Sequence, residues 1–316
     1  KGWIDSLDHM KTFNPEFLFP SHTKPIIGKE VIQNVLNTYR DAIQFVHDQT
    51  IRLMNQGMYP DEIAEKIKLP DSIADSPYLK EFYGTVRWSV KSIFNGYLGW
   101  FNGNPAELDP LSREEKAKRI LNLAGDIDVM IDDLRLAVDK EDMQWALELS
   151  DYLIALDNFT KEVKDLRIEA LIYEGSRSAN PNKRNYFLTS AFELRDDFAE
   201  PSLLDRTSEE LLEYVSIDTL FDVLSTRYNP DKRINENTTI CFLFSSGLRK
   251  NITIRNQVAV ISNTNGNDCL MTVTSDEIEL KKILTGWSNP VTSIASEKIQ
   301  IDGNSVEFLQ FLSKFR

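Results

Sequence analysis

The 316-residue sequence is long enough for more than one core, since single hydrophobic cores stop growing near about 250–300 residues. A composition 41% hydrophobic and 27% charged is that of an ordinary globular protein. The formal net charge of −13 excludes a broad phosphate-binding surface, because nucleic-acid affinity comes chiefly from Lys and Arg, and an anionic ligand must find a local, sheltered site.

Residues 1–28 read as an ending rather than a domain. Trp3 to Met10 has the pattern of a short amphipathic helix, and Phe17 to Pro20 reads as a buried strand entering the loop Ser21 to Gly28. One helix and one strand cannot bury a core alone, so a partner domain is expected. The chain begins at Lys1 rather than methionine, so a targeting sequence can lie upstream and the compartment is left open.

From Lys29 the pattern turns helical. Val31, Ile32, Val35, Leu36, Tyr39, Ile43 and Val46 recur at three- and four-residue steps, and the run ends near Gly57. Pro60-Asp61-Glu62 opens a further helix, which Leu69-Pro70 stops, and Tyr83 to Tyr97 forms the next. A Gly- and Asn-rich turn follows from Gly99 to Pro105. Ser112 and Glu115 have the spacing of a capping box. The segments near Trp145, Val163 to Tyr173 and Tyr186 to Leu194 resemble stacked helical hairpins of the tetratricopeptide kind, too degenerate for an array.

Near Thr207 the texture changes. Thr207 to Glu210 caps one predicted helix over 211–224, and β-type runs follow at 238–244, 250–255, 257–262 and 269–274, read as an antiparallel meander. Polar turns at 229–231 and 263–267 separate them. A helix near 278–284, a strand near 298–301, the turn Asp302-Gly303-Asn304 and a last helix, 306–315, complete an α+β domain. Phe308, Leu309, Phe311, Leu312 and Phe315 make that helix apolar over much of its surface, suited to a lipid-sized cavity or to closing a small core. The two cysteines, Cys241 and Cys269, sit in separate apolar stretches and are read as buried thiols, with a strand-to-strand disulfide as the alternative. No window reaches the roughly 18 uncharged apolar residues of a membrane span.

Ordered blocks carry a family resemblance. They are Phe19-Pro20-Ser21-His22 with Pro25 and Gly28; Tyr39 to Ala42; His47-Asp48-Gln49-Thr50; Asn55-Gln56-Gly57; Leu69-Pro70; Tyr83 to Val86; Tyr97 to Ala106; Gln144-Trp145-Ala146; and Arg184 with Ala191 to Arg195. In this order they resemble the linear (primary or secondary) alkylsulfatases of the metallo-β-lactamase superfamily. The blocks at 252–256, 270–274, 284–286 and 299–304 resemble the sterol-carrier-like domain that closes those enzymes. The resemblance implies a short remnant of an αββα metallo-β-lactamase domain over 1–28. A mainly α-helical dimerisation domain over 29–205 and an α+β sterol-carrier-like (SCP2-like) domain over 206–316 follow it.

It also implies chemistry. Such enzymes hydrolyse alkyl sulfate esters to alcohol and sulfate with two Zn2+ ions per active site, which lower the pKa of water and steady the leaving oxygen. The histidine-rich metal block of the family is absent here, where only three histidines occur, and would lie upstream. His22 falls at the family's last zinc-ligating histidine, although Thr23 stands where the family has glycine and restricts the backbone. One ligand cannot hold zinc tightly, so this chain alone is expected to be inactive. Arg87 and Tyr97 are the candidates for gripping sulfate, through guanidinium N–H groups and a phenol, against a plain surface ion pair and a core tyrosine. Trp88, Phe94, Tyr97, Trp100 and Phe101 could line an alkyl tunnel or pack a core. His47 reads as a structural hydrogen-bonding residue and His9 as solvent-facing. The expected partners are a second copy in a homodimer and an alkyl sulfate or other hydrophobic molecule. The alternative reading is a non-catalytic, dimerising lipid- or hydrophobe-binding module.

Overall fold

The computed structural model describes residues 1–199, 208–230, 237–263 and 269–315, and falls into two compact units, Lys1–Phe198 and Ala199–Arg316. The expected cap at Thr207, the boundary near 205 and most of the turn at 263–267 lie outside the described residues.

The first unit opens with helix α1 (Gly2–Thr12) and a minimal hairpin of strands β1 (Phe17–Leu18) and β2 (Ile26–Ile27). β1 pairs antiparallel with β2, Phe17 opposite Ile27 and Leu18 opposite Ile26. The buried strand expected over 17–20 is therefore corrected: Phe17 is 56% and Phe19 72% exposed. Strand side chains alternate between faces, so Leu18 and Ile26 turn toward Ile32 and Leu36 while the phenylalanines turn outward.

Helix α2 (Lys29–Met54) holds its apolar stripe with Ile32, Leu36, Val46 and Leu53 buried. Its lower half packs with α3 (Pro60–Lys66) and α5 (Val86–Leu98) in a core of Val46, Leu53, Ile63, Ile67, Val90 and Phe94. Between those two lies the one-turn helix α4 (Asp71–Ala74). α3 starts where expected: Pro60 occupies its first turn, and Tyr59 N–H donates to Glu62 Oε2 at 3.0 Å.

The next helices are α6 (Arg113–Ala124), α7 (Ile127–Asp139), α8 (Met143–Ala155), α9 (Lys161–Arg177) and α10 (Pro181–Glu193). Ser112 Oγ caps α6 by accepting from Glu115 N–H at 3.2 Å. Met130, Leu134, Ala146, Leu153, Val163 and Leu171 belong to one core shared by α7 to α10. Gly175 lets α9 and α10 approach, since a Cβ there would stand 2.8 Å from the Leu188 side chain.

In the second unit the single helix expected over 211–224 is two, α11 (Leu211–Tyr214) and α12 (Ile217–Thr226). The break has a local cause. Ser216 takes an extended conformation and its Oγ accepts from Thr219 N–H at 3.0 Å, which starts a new helix.

Strands β3 (Asn237–Phe244), β4 (Arg249–Arg255), β5 (Val258–Ser262), β6 (Met271–Ser275) and β7 (Ile299–Asp302) form one sheet in the order β5-β4-β3-β6-β7. The fully antiparallel meander is corrected here, because β6 runs parallel to β3, with Cys241 opposite Thr272. α13 (Glu277–Thr285), α14 (Pro290–Ala295) and α15 (Ser305–Ser313) follow β6, and β7 lies between the last two. Ile240, Phe242, Ile252, Ile254, Val273 and Ile299 share a core with Phe221 of α12, Leu280 of α13, and Phe308 and Phe311 of α15. Alternation sends the intervening residues to the other face, where the Thr239 and Thr253 hydroxyls bond at 2.9 Å.

Cys241 shares that second face, and it is joined to Cys269 by a disulfide with Cα atoms 5.8 Å apart. The two-thiol reading is thereby overturned. Parallel pairing of β3 with β6, unknown from the sequence, brings position 269 beside 241. Among the described residues no helix is long and apolar enough to cross a membrane.

Candidate functional site

The polar side chains that sequence reading singled out lie on or beside α2 and α5. Two glutamate and threonine contacts set the start of α5: Glu81 Oε1 accepts from Val86 N–H at 2.7 Å, and Thr85 Oγ1 from Trp88 N–H at 3.0 Å. Its end is set by Gly99, at φ +81°, a value that favours glycine. The turn beyond is braced by its own asparagines. Asn102 Oδ1 accepts from Asn104 N–H at 2.9 Å, and Asn104 Oδ1 from Ala106 N–H at 3.1 Å.

Arg87 and Tyr97 are ten positions apart on this helix, a rise of about 15 Å. Each has its own partner. The Arg87 guanidinium lies 3.8 Å from Asp61, a carboxylate that also pairs with Lys91, and Arg87 and Asp61 are both well exposed. Tyr97 is bonded instead to His47 of α2. The structure thus leaves the two sulfate-gripping candidates on separate contacts.

His22 sits in the exposed bend between β1 and β2, its ring 5.0 Å from that of Tyr83. Thr23 closes the bend locally, its hydroxyl donating to Lys24 O at 3.2 Å. Among the described residues no group of three or more His, Cys, Asp or Glu is placed to hold a metal ion. His22 is a single available imidazole, and these residues do not compose a zinc site by themselves.

The aromatic cluster divides. Phe94 is 5% exposed and belongs to the core of α2, α3 and α5, whereas Trp88, Tyr97 and Trp100 are 39%, 56% and 74% exposed. Trp100 and Phe101 contact each other with ring centres 5.7 Å apart.

One constellation was not assembled from the sequence. His47 is nearly buried, with Nδ1 hydrogen-bonded to Asp48 Oδ1 and Nε2 to Tyr97 Oη, each at 2.8 Å. Gln44 Nε2 donates to Asp48 Oδ2 at 2.9 Å, and Gln44 Oε1 accepts from Arg40. Arg40 Nε reaches both oxygens of Asp8, at 3.0 and 3.1 Å, linking α1 to the chain. The His47 bond, then that of Gln44, holds the Asp48 carboxyl below its ordinary pKa. Lys11 and Arg40 lower that of Asp8 in the same way. Arg40, Gln44 and Asp48 at four-residue steps were a legible signal, since such spacing places side chains in reach along a helix. The Tyr97 contact had no such signal.

In the second unit, a cavity of about 420 Å³ is lined by Arg227, Ile283, Leu284, Asn289, Leu312 and Phe315, among others. Arg227 donates to Leu284 O at 3.0 Å. Phe308, Phe311 and Phe315 are buried in the core, so the apolar helix expected at the end of the chain serves the sheet first.

A helical unit followed by an α+β unit is the architecture that comparison with known proteins explains. The alkyl sulfatase dimerisation model matches residues 59–197, and the alkyl sulfatase C-terminal model matches residues 205–316. A linear primary-alkylsulfatase from Pseudomonas sp. is 34% identical over 323 residues, 99% of this chain and 61% of that protein. An alkyl/aryl-sulfatase of Saccharomyces cerevisiae, BDS1, is 27% identical over 302 residues, 95% of this chain and 46% of that protein. The stereoselective inverting sec-alkylsulfatase Pisa1 from Pseudomonas sp. superposes with a TM-score of 0.86 at 28% identity, covering 99% of this chain and 50% of that one. This chain belongs to the alkylsulfatase family and carries its dimerisation and C-terminal domains. It spans 61% and 47% of the first two curated relatives it matches.

Proposed function

We propose that the whole protein is a zinc-dependent alkylsulfatase, hydrolysing alkyl sulfate esters to an alcohol and sulfate. The observation that carries this reading is identity of 34% along 99% of the chain to a primary-alkylsulfatase, with both family domains in order. In this reading the catalytic domain precedes Lys1 and has the metallo-β-lactamase fold. The helical unit joins two copies into a homodimer, and His22 contributes one zinc ligand to a site completed by that domain. The reading is supported for His22 by its exposed position in a bend braced by β1, β2 and Tyr83.

The chain's own share is to bind and orient. Tyr97, with exposed Leu98 and Trp100 beside it, offers a polar atom flanked by apolar surface, the pattern an alkyl sulfate needs. The second unit would be sterol-carrier-like, holding the alkyl chain. Its cavity is lined by Ile283, Leu284, Leu312 and Phe315 together with Arg227, Ser288 and Asn289, the apolar and polar parts that an alkyl tail and an anionic head would need.

The test uses the full-length protein and octyl sulfate. Release of inorganic sulfate is expected, lost on chelation and restored by zinc, with none from this chain alone. A full-length protein that releases no sulfate after zinc loading overturns the enzymatic reading. Decanoate titrated into the chain would then decide whether it is a hydrophobe-binding module: binding lost in Leu312→Asp supports that role, and no binding removes it. A monomer by light scattering contradicts the homodimer.

A further inference from the structure

The Asp48–His47–Tyr97 chain carries a consequence beyond holding α2 against α5. A carboxylate only accepts hydrogen bonds, so Asp48 fixes a proton on His47 Nδ1. In the neutral ring Nε2 is then a bare acceptor and takes the O–H of Tyr97. That phenol has no proton left to give outward and presents only lone pairs. When His47 gains a second proton, Nε2–H donates into the Tyr97 oxygen and the phenol O–H is freed to point outward. The same phenol oxygen repels an oxyanion in one state and binds it in the other.

We infer that Tyr97 is an anion-binding phenol gated by His47, and that binding an alkyl sulfate there is coupled to uptake of one proton by the His47 ring. This rests on the proposed reading of the Tyr97 surface as a place for alkyl sulfate. Asp48 faces the His47 ring from α2, the Lys1 charge bears on Asp48 from the start of α1, and the Tyr97 phenol faces the ring from α5. Asp48's other polar partner is the neutral Gln44. Tyr97 is 56% exposed, while His47 itself is 8% exposed. Leu98 and Trp100, 59% and 74% exposed, supply apolar surface for the tail. Coupling of this kind is reciprocal: the anion must raise the affinity of His47 for its proton by the factor by which the proton raises affinity for the anion.

The experiment titrates the chain with octyl sulfate below its micelle concentration while NMR follows the histidine rings. With three histidines in the sequence, His9→Gln and His22→Gln assign the signal of His47. At saturation octyl sulfate is expected to move the His47 ring signals toward those of the doubly protonated ring, and affinity to fall about tenfold as pH rises and that ring turns neutral. Tyr97→Phe should abolish both effects. If octyl sulfate perturbs the amides around Tyr97 yet leaves the His47 titration unmoved, the coupling is refuted and the reading of this surface stands. If no amide of α5 responds at either pH, the ligand reading of Tyr97 fails and the coupling with it. A purely structural tie predicts a third pattern, in which Tyr97→Phe lowers the melting temperature but His47 ignores octyl sulfate in both proteins. That pattern also refutes the inference.

Discussion

The two units solve the problem of burial differently. In the helical unit the buried residues fall into three separate clusters: one around Ile26 and Ile32, one joining α2, α3 and α5, and one shared by α7 to α10. In the α+β unit a single cluster runs through every strand of the sheet and into α12, α13 and α15. Helices satisfy their own backbone and can pack in local groups, whereas a strand has no partner until its neighbours arrive. The helical unit also leaves large side chains uncovered, among them Leu123 and Tyr186 at 85% and 82% exposed. A surface of that kind belongs to a domain whose family role is dimerisation. The second unit adds a disulfide to its continuous core. Local cores should open piecemeal, and a continuous one all together.

Four changes test that contrast. Phe308→Ala empties a fully buried aromatic site in the continuous core and should cost about 3–5 kcal/mol. Hydrogen exchange should rise together across β3, β4 and β6, and loss confined to α15 would break the comparison. Cys241→Ser removes a cross-link between positions separated by 28 residues, worth about 2–4 kcal/mol. Guanidinium unfolding with and without reductant measures it, and identical midpoints would show that the bond adds nothing. Gly175→Val forces side-chain atoms against Leu188 and should cost about 1–3 kcal/mol. Here exchange should quicken in α9 and α10 while the amides of α2 and α5 keep their protection. A uniform loss would mean that the helical clusters act as one.

The smallest effect concerns acid. The folded-state pKa of Asp48 is lowered, chiefly by its bond to His47. Its contribution is therefore full above the unfolded value of about 3.9 and is lost as pH falls through the folded value. Thermal melts of the wild type should weaken in that window, and those of Asp48→Asn should weaken less. Equal acid slopes would remove the link from the stability of α2.

Much of the helical unit was legible because its causes are local. The apolar period of α2, Pro60 at the start of α3, Gly99 at the end of α5 and the Ser112 cap depend on residues a turn apart, whereas the helix read from Tyr83 begins at Val86. Arg87 and Tyr97 could likewise be placed on one helix, and the family read from ordered blocks. Ser216 shows the limit of even local reading, since a cap inside an apolar run was taken for continuity.

The sequence by itself thus determined most helices of the first unit, the Pro60 and Ser112 helix starts, the α+β character of the last third and the family. Tertiary structure alone decided that β6 lies parallel to β3, that Cys241 meets Cys269, and that His47 meets Tyr97 fifty positions away. The reason is range. A helix or cap follows from neighbours in the chain, but strand order, cross-links and hydrogen bonds between helices depend on which surfaces the whole fold brings together.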